Sequence, residues 1–119
     1  MGDSIGNQIE IEETIECLHG NLRPDIEELV TKYGGYLLQR TKRVNTMTEG
    51  AKLILEKLKN GEALAKFKEM LIGQGVNEYV AHALCYDKKY NTVFDKQAQF
   101  VSNIKAFKSG NFKDWILRV

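Results

Sequence analysis

The chain has 119 residues, 43% apolar and 28% charged, with a formal net charge of +1, which is the size and make-up of one domain with a modest core. A mean hydropathy of −0.36 and the lack of any apolar run near the ~18 residues of a membrane-spanning helix leave no transmembrane segment to expect. The opening MGDSIGNQ has neither the basic-then-apolar pattern of a signal peptide nor the Ser or Thr of an N-myristoylation signal at position six.

The first ninety residues are helical in pattern. Ile11, Ile15 and Leu18 recur at i, i+4 and i+7, and Gly20 follows as a stop. Pro24 opens a second helix at its first turn, with Asp25, Glu27 and Glu28 near the positive end of its dipole. Its apolar stripe of Ile26, Leu29, Val30, Tyr33 and Leu37 predicts a buried face. Thr46 and Glu49 have the spacing of a capping box and start a third helix, whose apolar face is Ala51, Ile54, Leu55 and Leu58 and whose end is Asn60-Gly61. A fourth helix carries Leu64, Phe67 and Leu71 and stops near Gly73 and Gly75; a short fifth runs from Asn77 as cap to Leu84. The stripes predict one core built around Leu29, Leu37, Leu55, Leu58, Phe67 and Leu71.

Residues 86–96 are polar and irregular, and beyond them the period falls towards two. Phe100, Ser102, Ile104 and Ala106 share one face, Trp115, Leu117 and Val119 another, with a turn cluster from Lys108 to Asn111 between them. This predicts a β-hairpin over 98–107 and 112–119. Two strands alone are marginal in water, so the strand reaching Val119 reads as part of a longer sheet, or as an edge that pairs with a second copy. The fold expected is mainly α with a C-terminal β-hairpin.

Charge is uneven: residues 1–30 carry eight acids and one base, residues 31–119 sixteen bases and eight acids. The bases alternate with acids at helical spacing, as in Glu56 with Lys59 and Glu62 with Lys66, which reads as a solvated face rather than a nucleic-acid patch. Cys17 and Cys85 lack a CxxC context, and His19 and His82 form no HxxxH or HExxH pair. Reduced thiols in a cytoplasmic protein are therefore expected, without zinc or Cys-His chemistry. Ser4, Ser102 and Ser109 have no nucleophile-elbow context. Gly34-Gly35 inside the second helix costs about 2 kcal/mol of propensity; close approach of a neighbouring element explains it, with a phosphate site as the sharper alternative. Glu12, Glu13 and Glu16 crowd one part of the first helix, either as a solvated acidic face or, if carbonyls of the Gly2–Gly6 loop face Glu13, as part of a hard-cation site.

Four blocks carry a family resemblance. Gly6-Asn7-Gln-Ile-Glu10-Ile-Glu-Glu13 resembles the GN-x-x-E-V-x-E-A segment of pyrimidine-nucleoside (thymidine) phosphorylases. Pro24-Asp25-Ile-Glu-Glu-Leu-Val with Gly34-Gly35-Tyr-Leu-Leu continues it, Gly61-Glu-Ala-Leu-Ala-Lys-Phe67 through Gln74-Gly75 is similar to a further family helix, and Phe100 through Gly110 resembles the opening hairpin of the family's C-terminal domain. The resemblance implies a piece of a larger α/β phosphorylase domain: residues 1–90 its helical segment, residues 91–119 a linker and the truncated start of a C-terminal β domain. It implies a parent pentosyltransferase reaction in nucleoside salvage, pyrimidine nucleoside plus phosphate giving free base and pentose 1-phosphate. The family's Lys-His-Ser-Thr-Gly-Gly phosphate loop and its base-gripping Arg, Ser and Lys have no counterpart in this sequence, so no catalytic or cofactor-binding residue carries over and the chain alone is expected to be inactive. Some bacterial members bind a potassium ion near that loop; its ligands would fall on the main-chain carbonyls of Met1 and Ser4 and on the Glu13 carboxylate, in the complete enzyme only. The alternative expectation is a non-catalytic helical interaction module derived from the family.

Overall fold

The computed structural model describes residues 4–94 and 99–110. Six helices follow in order: α1 (Asn7–Leu18), α2 (Pro24–Arg40), α3 (Met47–Lys59), α4 (Glu62–Gly73), α5 (Glu78–Cys85) and the single turn α6 (Tyr90–Val93). Local chemistry sets their boundaries. Pro24 occupies the first turn of α2, where its missing N–H costs nothing. The Thr46–Glu49 capping box forms in both directions, each hydrogen bond 3.2 Å long. Asn77 caps α5 by accepting from the Tyr79 N–H at 2.9 Å. The turn α6 lies in the stretch expected to be irregular; four residues are too few for periodicity to reveal.

The core is small. Ile15 of α1, Leu64 of α4 and Leu84 and Cys85 of α5 are buried together, and Ile11, Leu18, Phe67, Leu71, Tyr90, Val93 and Phe94 close around them. Phe67 and Leu71 thus hold their expected places, and Leu58 of α3 is also buried. Leu29 and Leu37, expected in the same core, are 51% and 61% exposed. The reason is the placement of α2. It packs chiefly on α3, and it does so through glycines rather than through its apolar stripe.

Gly35 and Gly50 are both buried, and a Cβ added to Gly35 would lie 2.5 Å from the Met47 carbonyl oxygen and 2.7 Å from the Ala51 nitrogen. A Cβ on Gly50 would meet the Gly35 Cα at 2.7 Å. The two backbones touch, so the helix propensity lost at Gly35 is offset by contact with α3. Close approach is thus the structural role of the glycine pair.

Among the described residues there is no strand. Of the expected hairpin, residues 99–107 are irregular and exposed, while residue 98 and residues 112–119 lie outside the described residues. A strand needs a ladder partner for its backbone groups, and no described residue supplies one to 99–107. The expected pairs on the solvated face also differ in detail: Glu62 accepts from Lys57 at 2.8 Å, and Lys66 pairs with Glu69.

Candidate functional site

The acidic face of α1 is where the sequence concentrates its candidate chemistry. Gly6 precedes the helix at φ +142°, in the region open to glycine, and its carbonyl accepts the Glu10 N–H at 2.9 Å. This bend turns the N-terminal loop back along the helix. The Ser4 N–H then donates to Glu13 Oε2 at 3.1 Å, two turns away in sequence. Both residues are half-buried. Of the three expected metal ligands, the Ser4 main chain lies beside Glu13 but through its N–H, not through the carbonyl expected to bind an ion, and Met1 lies outside the described residues. A hard cation takes oxygen donors, and the Ser4 contact brings an N–H that occupies one Glu13 oxygen, so the contact itself offers a cation only the carboxylate. Among the described residues no three His, Cys, Asp or Glu side chains cluster as a metal site, so any cation here would depend on backbone oxygens.

One turn further along, Glu16 ties α1 to the far end of the chain. Lys88 Nζ lies 2.7 Å from Glu16 Oε1, the Tyr90 hydroxyl donates to the same oxygen at 3.1 Å, and Asn21 Nδ2 donates to Oε2 at 3.0 Å. The Lys88 hydrogen bond above all holds the Glu16 carboxyl below its ordinary range. Burial, and then the Glu16 bond, push the Tyr90 phenol up to about 12. Lys88 makes this contact from a backbone at φ +53°, a conformation that non-glycine residues adopt at a cost of roughly 1–2 kcal/mol. Nearby, His19 Nε2 donates to the Cys85 carbonyl at 2.7 Å, joining the C-terminal ends of α1 and α5. Cys85 is fully buried, and desolvation raises the pKa of its thiol, so it is packed rather than reactive.

Apart from Asn21, these partners of Glu16 and His19, namely Lys88, Tyr90 and Cys85, stand 66 to 74 residues away in sequence. No spacing rule could have found them, because spacing reports only neighbours on one element. They build a clamp between α1 and the segment after α5, in which the phenol is held protonated and the carboxyl ionised.

Two shallow hollows lie on the described surface. One of about 330 Å³ is lined by Lys68, Glu78, Tyr79, His82 and Asp87. Its polar groups are loosely paired, with Lys68 Nζ, on a half-buried side chain, 3.4 Å from the exposed Glu78 and His82 Nδ1 3.9 Å from Asp87, contacts that water at the surface weakens. The other, about 370 Å³, is lined by Lys32, Tyr33, Tyr36 and Met47. No described helix is long and apolar enough to cross a membrane.

No family model matches the chain. Among curated proteins it is similar to thymidine phosphorylase of Homo sapiens, with 39% identity over 85 residues, 71% of this chain and 18% of that enzyme. It is 39% identical over 83 residues to pyrimidine-nucleoside phosphorylase of Staphylococcus haemolyticus, 70% of this chain and 19% of that enzyme. With pyrimidine-nucleoside phosphorylase of Staphylococcus aureus it shares 33% identity over 115 residues, 92% of this chain and 24% of that enzyme. The chain spans about a fifth of the length of the curated relatives it matches.

Proposed function

This chain belongs to the thymidine and pyrimidine-nucleoside phosphorylase family, and from that premise we propose that it is a structural piece of a phosphorylase. In the complete enzyme, phosphate would displace a pyrimidine base from the pentose, giving free base and pentose 1-phosphate in a cytoplasmic salvage reaction. The observation that carries this reading is the similarity itself: 70–92% of this chain aligns with 18–24% of each relative named above. The residues present build helices and a clamp. A phosphorylase must in addition hold phosphate and grip the base, because positioning and charge stabilisation supply most of such a rate. The Lys-His-Ser-Thr-Gly-Gly loop that resemblance assigns to phosphate is not in this sequence. The chain by itself is then inactive.

The purified 119-residue protein, given thymidine or uridine with phosphate, is expected to release no thymine or uracil above buffer. Base release that disappears when the protein is left out would overturn the reading. In the complete enzyme, the carbonyls of Met1 and Ser4 and the carboxylate of Glu13 would hold a potassium ion, a ligand set implied by the family resemblance; here the Ser4 main chain meets Glu13 through its N–H at 3.1 Å. That ion would supply fixed positive charge beside the anionic substrate. A second reading, a non-catalytic helical interaction module, is favoured by the uncovered apolar side of α2.

A further inference from the structure

Residues 86–94, which include α6, follow α5 and return to α1. They cover part of the core from outside: Tyr90, Val93 and Phe94 pack on the buried cluster that contains Cys85. Backbone hydrogen bonds tie the segment to α5 near its start, from the Tyr86 N–H to the His82 carbonyl at 2.9 Å and from the Lys89 N–H to the Ala83 carbonyl at 3.2 Å. The later ones, from Thr92 and Val93 to Lys89 and from Phe94 to Tyr90, stay within the segment. Asp87, Lys88, Lys89 and Thr92 are exposed. Towards α1, two side chains converge on one carboxylate. Lys88 Nζ lies 2.7 and 2.9 Å from the two Glu16 oxygens, and the Tyr90 hydroxyl donates at 3.1 Å.

We propose that residues 86–94 are a strap latched onto α1 by the Glu16 carboxylate, and that loss of this latch lets the strap swing off as a unit and uncover the Cys85 thiol while α1 to α5 stay folded. The root of the strap is pinned independently of Glu16, because His19 Nε2 meets the Cys85 carbonyl at 2.7 Å and ties the end of α5 to the end of α1. Three residues beyond that root, Lys88 sits at φ +53°, which is unfavourable for a residue with a Cβ. Release of the strap relieves that strain, so the Glu16 contacts are what oppose it. The latch is ionic, and its members are 40% and 35% exposed at Lys88 and Glu16, so it answers to the charge on either side chain. Opening of one weakly held segment, with the rest folded, is the ordinary way a native chain exposes a buried group. This device goes beyond the phosphorylase reading and does not rest on it.

Cys85 itself can report the opening. With Cys17→Ser in the 119-residue chain, Cys85 is the one remaining thiol, and its rate of reaction with dithiodipyridine at neutral pH measures how often the strap is off. Glu16→Ala should raise that rate about tenfold or more, the factor expected from losing charge-assisted hydrogen bonds. Helix content should hold, since alanine suits a helix interior. Lys88→Met, which leaves α1 untouched, should raise the rate as well. Glu28→Ala, which removes an exposed pair with Lys32 on α2, should leave it unchanged. At low urea the faster labelling should be nearly independent of urea, because a short strap exposes little surface when it opens. A wild-type labelling rate in either latch variant overturns the proposal, and so does an equal rise in Glu28→Ala. Labelling that climbs steeply with urea from the start, in step with loss of helix, also overturns it: Cys85 would then be reached only by unfolding the whole cluster.

Discussion

The cluster formed by α1, α4, α5 and α6 and the pair formed by α2 and α3 hold together by opposite means. In the cluster, large side chains meet: Ile15, Leu64, Leu84 and Cys85 are buried, with Phe67, Leu71 and Tyr90 around them. Between α2 and α3, the lack of side chains at Gly35 and Gly50 lets two backbones touch. The first arrangement gains stability from apolar area removed from water. The second gains it from close van der Waals contact and leaves its apolar area outside. The cluster buries its apolar side chains, whereas the pair leaves Leu29 and Leu37 of α2 exposed.

Substitutions can break this contrast. The largest effect is expected at Ile15, which has no exposure at all. Ile15→Ala should cost about 2–5 kcal/mol by chemical denaturation, from lost burial and the cavity left behind. A change within experimental noise would mean that the cluster is not the stabilising unit. Next comes Gly35→Ala. Its added Cβ would meet backbone atoms at 2.5 and 2.7 Å, so strain of roughly 1–3 kcal/mol should exceed the propensity gained by replacing a helical glycine. Gly73→Ala in α4, where an added Cβ meets nothing within 4 Å, should be neutral or stabilising by up to about 1 kcal/mol. Equal effects at the two glycines would remove the argument for backbone contact.

The smallest effect concerns pH and the Glu16 clamp. Glu16 has a folded pKa below its ordinary 4.5. The stability it contributes is therefore present above pH 4.5 and lost as pH falls through the lower folded value. Tyr90, raised from 10.0 to about 12, contributes stability that is present below pH 10 and lost as pH rises from 10 towards 12. Melting temperature measured across pH should fall at both ends, and Glu16→Gln should flatten the acid side. An acid limb unchanged in Glu16→Gln would show that other carboxylates control it.

The sequence by itself determined much that is local. Pro24, the Thr46–Glu49 box and the Asn77 cap mark helix starts, and each depends on atoms within about one turn. The family blocks, Gly6-Asn7 through Glu13 among them, were equally legible, because they are linear. The tertiary structure decided which apolar stripe became core. The Leu29–Leu37 and Leu64–Leu71 stripes have the same periodicity, and periodicity cannot say what lies opposite a face. Only the glycine contact with α3, which turns α2 away from the cluster, separates them. The same holds for the candidate chemistry: Glu13 and Glu16 look alike on one helix. Folding gave the first to the Ser4 backbone and the second to Lys88 and Tyr90, since a side chain's partners are set by the path of the whole chain.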